Sequence, residues 1–382
     1  MVLKTFLNSY QGPAYVYDLE MIQHRARLLR EKLFPAKVFY AVKANYNTRV
    51  LEALRSAGCG ADVVSGGEIH QAEKSGYSPQ EIIFSSVGKT RSEIRLALEK
   101  RIYQINVESL EELKRIGEIA RALRALKAPV ALRVNPNINI QTHPYIATGL
   151  KENKFGISTE MLSEGLQILR DYADVIDPVG LSMHLGSQML EFSGFEEALR
   201  LKKNLFWELK KTLPSLRRFD FGGGLGIYYD QDRLDLEEQM LEDYADRVKI
   251  ETRDLVEAGV ELQTEPGRWI VGHGGVLLAQ VQYVKRTPHK TFIVLDTGMH
   301  HLLRPALYQA EHRIYPLRSK GEFGIYDFVG PICESGDTLG YDRLLPVTKE
   351  GDILLIANAG AYGYCMSSNY NLRPPAQEII LD

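Results

Sequence analysis

Two residues far apart in the chain could do chemistry together. Lys43 lies in Phe39-Tyr40-Ala41-Val42-Lys43-Ala44-Asn45, at the end of an apolar, strand-like run, and Glu265-Pro266-Gly267-Arg268 closes another such run. A lysine amine can hold an aldehyde. A carboxylate can keep a pyridine ring nitrogen protonated, so that the ring draws electrons from a bond at a substrate carbon. Those are the demands of pyridoxal-phosphate chemistry on an amino acid. Taken alone, each residue also fits a plainer role, as a strand-end lysine reaching for water or a carboxylate in a turn.

Other residue types add to the pair. Gly222-Gly223-Gly224-Leu225-Gly226 follows an apolar run; its glycines would let backbone N–H groups approach a phosphate, or simply make a tight turn. Gly267-Arg268 offers further donors one run later. In His184-Leu185-Gly186-Ser187-Gln188, the histidine could stack on a flat ring or be a satisfied core residue, and Ser187 could meet a phosphate or cap a turn. Asp62 could orient the lysine or serve a turn. Arg133 sits inside an apolar run, where a charge needs a partner.

Arg304-Pro305-Ala306-Leu307-Tyr308 reads as a helix start, with proline favoured in the first turn. An arginine there opposes the helix dipole unless an anion is bound, and Tyr308, four residues on, shares its face. Cys333-Glu334-Ser335-Gly336-Asp337 pairs a potential proton donor with a potential amine ligand, or is a small residue beside a surface carboxylate. In Gly360-Ala361-Tyr362-Gly363-Tyr364 the tyrosines could reach a ligand or only pack their rings.

Such groups need elements to position them. Strand-like runs occupy Val38–Val42, Ala61–Val64, Ile82–Ser85, Tyr103–Val107, Val130–Val134, Gly180–His184, Arg218–Phe221 and Leu262–Thr264. Amphipathic stretches such as Thr48–Ala57, Leu110–Leu123, Phe195–Leu209 and Leu234–Ala258 separate them. This alternation means parallel strands with crossover helices, and about eight units predict a (β/α)8 TIM-type barrel over residues 19–268. Lys43, Asp62, Arg133, His184, the glycine run and Glu265 fall near, at or just after strand ends, where such barrels carry active sites. A doubly wound open sheet shows the same alternation. After Arg268, Val276–Arg286, Thr291–Asp296, Ile325–Val329 and Asp352–Ala357 read as strands with few long helices between them, a C-terminal β-rich domain over 269–382. The strand-like Ala14–Asp18 precedes the barrel and is expected to join that domain as part of 1–18.

Composition narrows the classes. The 382 residues are 45% hydrophobic and 25% charged, with a formal net charge of -3, which leaves no electrostatic footprint for nucleic acid. The run Arg25-Ala26-Arg27-Leu28-Leu29-Arg30 is followed at once by Glu31-Lys32 and reads as a solvated helix face. Cys59, Cys333 and Cys365 have neither a disulfide framework nor metal-ligand spacing, so no metal is expected. Neither a signal peptide nor a membrane span is expected, and a reducing cytoplasm is the default.

Jointly these motifs resemble the fold-type III pyridoxal-phosphate decarboxylases, and among them the diaminopimelate decarboxylase family. The resemblance runs from about Tyr15 to Glu378. It also takes in the segment from His143-Pro144-Tyr145 to Lys154-Phe155-Gly156, and Met366-Ser367-Ser368-Asn369-Tyr370-Asn371. It implies that Lys43 holds the cofactor aldehyde, His184 stacks on the ring, Glu265 meets the pyridine nitrogen and Asp62 lies in the cofactor site. It implies that Ser187, Gly224, Gly267, Arg268 and Tyr362 hold the phosphate, that Arg268, Arg304, Tyr308, Glu334 and Tyr362 bind substrate, and that Cys333 returns a proton. The activity implied is decarboxylation of meso-2,6-diaminopimelate to L-lysine, the last step of lysine biosynthesis, in a head-to-tail homodimer with shared active sites. The distal ammonium and carboxylate of that substrate match Glu334 plus arginines. Rival readings are a sister decarboxylase of ornithine, lysine or carboxynorspermidine, an alanine-racemase-like enzyme, and a non-catalytic homologue. Racemases of that kind place an arginine where this chain has Glu265. The resemblance also implies a further strand and helix past Asp382, and Leu372-Arg373-Pro374-Pro375-Ala376 departs from the family's serine-arginine-proline-arginine-proline pattern.

Overall fold

A computed structural model describes residues 10–124, 127–135, 154–229, 234–317 and 321–381. The chain divides into two compact units, one of Ala26–Ile227 with Asp235–Gly267, the other of Met1–Arg25, Tyr228–Leu234 and Arg268–Asp382. The sequence reading put the boundary at residue 18 and left Tyr228–Leu234 in the barrel. The first helix, Leu19–Lys32, belongs in part to the second unit for a visible reason. Its Arg25 donates to the Trp269 carbonyl at 2.7 Å and lies 4.0 Å over the Trp269 ring.

The strand β1 (Ala14–Asp18) belongs to the second unit. The first unit is built on β2 (Lys37–Ala41), β3 (Gly60–Val63), β4 (Ile82–Phe84), β5 (Gln104–Val107) and β6 (Ala128–Asn135). It continues with the short β7 (Ile157–Ser158), then β8 (Ile176–Ser182), β9 (Arg218–Asp220) and β10 (Glu261–Thr264). All are parallel, in the order β5-β4-β3-β2-β10-β9-β8-β6, and β6 pairs back onto β5. That last pairing closes the ring and decides for a barrel over an open sheet. Lys43 lies just beyond its strand, in the 3-10 turn Val42–Ala44.

Local chemistry sets the helix starts after the strands. Asn47, Ser65, Thr90 and Ser109 each turn a side-chain oxygen onto an N–H of the first turn that follows. The outward strand residues, such as Ile105, Val107, Phe219 and Leu262, are buried and apolar. Between them the strands carry buried polar groups: Asp62, Gln104, Asn106, Arg133, Ser182, Asp220 and Gln263. Barrel interiors are commonly filled by branched apolar side chains; here alternate positions are polar, and they must satisfy one another.

The second unit holds β1 and β11 (Gly275–Arg286), β12 (Thr291–Leu295), β13 (Ile314–Pro316), β14 (Phe323–Val329), β15 (Thr338–Pro346), β16 (Ile353–Ile356) and β17 (Gln377–Leu381). The order is β13-β16-β11-β12-β14-β15, with β1 antiparallel to β11 and parallel to β17. The sequence reading lacked β13, β15 and β17. Gly340, Asp342, Arg343 and Pro346 interrupt any apolar alternation in β15, and the other two strands are short. Among the described residues no helix is long and apolar enough to cross a membrane, and no group of three or more His, Cys, Asp or Glu is placed to hold a metal ion.

The barrel wall depends on its outer aromatic layer. Phe219 on β9 is fully buried, with its ring 5.8 Å from that of Phe206 on the helix Ser193–Thr212. Phe219→Ala is expected to cost about 3–5 kcal/mol, read as a lower urea midpoint by circular dichroism. An unchanged midpoint would mean that this layer does not hold the wall.

Candidate active site

At the C-terminal ends of the barrel strands, the Lys43 ammonium stands 3.4 Å from Oδ2 of Asp62. Asp62 is fully buried on β3, while the lysine side chain is 37% exposed. The other Asp62 oxygen, Oδ1, is buried without a hydrogen-bond partner among the described residues. Close by is Glu68, in the first turn of the helix Gly66–Lys74. Its carboxylate accepts from the Val64 N–H at 2.8 Å, and burial pushes its pKa up to about 7 despite that bond and the Lys43 charge.

Glu265 follows β10 and is buried. Its Oε1 accepts from the Asn106 amide at 2.8 Å and from the Ser85 hydroxyl at 3.3 Å. Burial, then the charges of Asp220 and Asp62, push its carboxyl well above the usual carboxylate range. Burial raises Asp220 as well, against the pull of Lys202. Lys202 is a buried ammonium bonded to the Asp220 carbonyl, and burial lowers it to about 7.

His184 follows β8. Its Nδ1 accepts the Gly223 N–H at 3.2 Å, so that nitrogen carries no proton. Burial, with the charges of Lys43 and Arg133, holds the ring well below the usual histidine range, as a neutral imidazole. Arg133 has the partner its position requires: Glu108, at 2.6 Å. The glycine run is packed backbone on backbone. A Cβ on Gly222, Gly223 or Gly224 would run into the carbonyls of Met183, Glu265 and Gly186 respectively, and Gly222 and Gly224 have φ of +74° and +106°. Ser187 lies in the neighbouring loop before the helix Ser193–Thr212.

These residues fit a pyridoxal-type cofactor. The amine stands beside a buried carboxylate with one unpartnered oxygen. A second carboxyl, raised by burial, can share a proton with a ring nitrogen. The backbone cradle leaves no room for a side chain.

In the second unit, Arg268 donates to the Tyr229 hydroxyl at 2.6 Å and lies 4.9 Å over the Tyr362 ring. Arg304 opens the helix Arg304–Tyr308, is buried, and lies 4.9 Å over the Tyr229 ring. It donates to Nε2 of His312 at 2.9 Å, while Nδ1 of His312 donates to the Ala357 carbonyl at 2.8 Å. Among the described residues no carboxylate pairs with Arg304, and its Nε is unpartnered. Tyr308 ends the same short helix, half-buried. Cys333 and Glu334 are exposed on a loop tied to a neighbouring turn, with the Cys333 N–H donating to Asn371 at 3.2 Å and the Tyr370 hydroxyl donating to Glu334. Asp337 anchors that loop by accepting the N–H groups of Met299 at 2.6 Å and Ile332 at 2.7 Å.

A family model described as "Pyridoxal-dependent decarboxylase, pyridoxal binding domain" matches residues 19–272. Two curated relatives, each named diaminopimelate decarboxylase, match the whole chain. That of Pseudomonas aeruginosa is 42% identical, with 90% of its length covered, and that of Aquifex aeolicus is 39% identical, with 89% covered. The chain belongs to the diaminopimelate decarboxylase family. A crystal structure of diaminopimelate decarboxylase from Helicobacter pylori complexed with L-lysine superposes with a TM-score of 0.91 at 39% identity, over 100% of this chain and 94% of that one.

As a pyridoxal-dependent decarboxylase the chain uses pyridoxal phosphate. The structure groups Lys43, Asp62, His184 and Glu265 in the barrel unit, and Arg268, Arg304 and Tyr362 in the other. Residues 143–153 of the segment running from His143 to Gly156 lie outside the described residues. Sequence reasoning passed over Asn106, Glu108, Asp220, His312 and Tyr229. A signal existed for the first three, since each is a charged or amide residue within or beside an apolar strand. No signal linked His312 or Tyr229 to Arg304.

The Arg304–His312 bond has a pH signature. Burial and the Arg304 charge lower His312 to about 3 from 6.5. The unfolded chain therefore binds a proton below about 6.5 that the folded chain refuses, so stability is full above that pH and falls as pH drops toward 3. Between pH 7 and pH 5 the loss from this residue is about 2 kcal/mol. Thermal unfolding at both pH values should show a smaller difference in His312→Gln than in the unaltered chain. Equal differences would mean that His312 is not held neutral.

Proposed function

We propose that the chain converts meso-2,6-diaminopimelate to L-lysine and carbon dioxide, the last step of lysine biosynthesis. Arg304 carries the choice of substrate. It is a buried guanidinium whose side-chain hydrogen bond goes to a neutral histidine. Such a charge suits a carboxylate, and diaminopimelate carries a second one at its distal end, where ornithine and lysine have only an amine.

Bound pyridoxal phosphate supplies the electron sink that allows the bond to the departing carboxyl carbon to break. The protein's part is binding, orientation and proton placement. Lys43 would hold the cofactor aldehyde, with Asp62 orienting its ammonium. Glu265 holds a proton against the ring nitrogen in a pocket that disfavours an isolated carboxylate. His184, neutral, offers its face to the ring. Ser187, Gly224, Gly267, Arg268 and Tyr362 serve the phosphate. Arg268, Arg304, Tyr308, Glu334 and Tyr362 serve the substrate, with Glu334 taking its distal ammonium. Cys333 returns a proton to the carbon that lost carbon dioxide. Its exposed loop fits a head-to-tail homodimer in which active sites are shared. The cytoplasm suits three cysteines of which none is in a disulfide.

The test uses purified protein with pyridoxal phosphate and meso-diaminopimelate, following carbon dioxide and lysine, with parallel assays on L-lysine and L-ornithine. Lysine is expected from diaminopimelate, with the other two untouched and Lys43→Ala inactive. Arg304→Ala should lower kcat/KM for diaminopimelate by about 100-fold. Turnover of ornithine or lysine in place of diaminopimelate would move the chain to a sister activity and show that Arg304 was misread.

A further inference from the structure

Lys89 lies in the loop between β4 and the helix Arg91–Lys100, and its side chain is fully buried. Its ammonium has three acceptors: the Ser86 carbonyl at 2.8 Å, the Asn106 carbonyl at 2.6 Å and Oε1 of Glu112 at 2.7 Å. An ammonium has three N–H groups, so each has a destination. A buried ion pair of this kind adds little stability over apolar residues of similar size. What it does supply is direction.

Two chains of hydrogen bonds leave the pair. On one side Lys89 fixes the backbone of Asn106. The side-chain amide of that residue accepts from Gln104 at 2.8 Å and donates to the Ser85 hydroxyl at 3.0 Å and to Oε1 of Glu265 at 2.8 Å. Oε1 is thus occupied by donors, which leaves Oε2 as the oxygen able to carry or share a proton. On the other side, Oε2 of Glu112 accepts the Glu108 N–H at 2.9 Å. Glu108 holds Arg133 at 2.6 Å and the Gly156 N–H at 2.9 Å, and Arg133 donates to the His184 carbonyl at 3.3 Å. Every side chain along both paths from the pair to Glu265 and to Arg133 is buried.

We propose that Lys89 and Glu112 are positioning residues for the decarboxylation. Through Asn106 they present Oε2 of Glu265 to the cofactor's ring nitrogen, and through Glu108 and Arg133 they fix the backbone of His184. This rests on the reading of Glu265 and His184 given above. Both side chains of the pair are buried, at 0% and 8% exposure.

The experiment compares holoenzyme of the unaltered chain with the double variant Lys89→Met/Glu112→Leu, which exchanges the ion pair for apolar side chains of similar length. Three quantities are read: the thermal midpoint, the pH dependence of the bound cofactor's visible absorption without substrate, and kcat and KM. The expected result is a midpoint within a few degrees of the unaltered chain and an absorption transition displaced by about one pH unit or more. A fall in kcat of about tenfold or more should accompany these, with little change in KM. An unmoved absorption transition and kcat in the folded double variant would overturn the proposal. If that variant does not fold, Asn106→Leu decides, because it removes the donor to Glu265 and leaves the ion pair in place; it too must displace the absorption transition, and an unmoved one overturns the proposal. The absorption is measured without substrate, so its outcome stands apart from which amino acid is consumed. A chain that ignores diaminopimelate while its absorption responds as expected refutes the substrate assignment alone.

Discussion

A carboxyl group with two other carboxyl groups for neighbours and little water cannot stay ionised cheaply. Glu265 is in that position, with Asp62 and Asp220 as the neighbours. Much of the barrel unit follows from keeping this arrangement folded. Lys43 answers Asp62, Lys202 answers Asp220 through the end of β9, and Asn106 and Ser85 supply neutral donors to Glu265 itself. The ring must be closed for this to work, because β3, β5, β9 and β10 each contribute to the cluster. The same crowding makes Glu265 suited to a cationic ring. On the proposed reading, a protonated pyridine would give Glu265 the kind of cationic partner that Lys43 gives Asp62.

The other unit solves the converse problem, a buried cation that no carboxylate among the described residues pairs with. Arg304 is surrounded by groups that accept or tolerate positive charge without cancelling it: the Tyr229 ring and an imidazole locked in one tautomer by the Ala357 carbonyl. A carboxylate partner in place of His312 would have stabilised the arginine and silenced it. A neutral partner keeps it oriented and leaves its charge available to a ligand.

Much of this was legible in the chain. The eight barrel strands appear as apolar runs between amphipathic stretches, and Lys43, Asp62, His184 and Glu265 stand where those runs end. The count of eight units pointed to a barrel, but periodicity alone could not separate it from an open sheet, because the pairing of β5 with β6 leaves no mark on it. Not legible was β15, whose glycine, charges and proline hide a strand that is half exposed. The buried polar lining was misleading in its own way. Asn106 and Asp220 look like the exposed half of an alternating strand, yet their side of the sheet faces the inside of a barrel. Asp337 was seen only as the end of the cysteine motif. Its work is to hold the loop shut by taking two backbone N–H groups, and sequence spacing does not reveal an acceptor for residues so distant as Met299.

The pairing of β1 with β17 joins the first described strand to the last, side by side and parallel. Parallel neighbours cannot form as a hairpin, and these two have the rest of the molecule between them. During synthesis the barrel segments emerge in unbroken succession from β2 to β10, each with a partner already made or soon to come. The strand β1 emerges before all of them and waits. Its partner β11 appears only after the barrel is complete, and β17 later still. Throughout that interval Ala14–Asp18 is an apolar strand with both edges open. Until β11 emerges, neither strand partner of this segment exists, and shielding it over that interval would keep it from pairing with another chain.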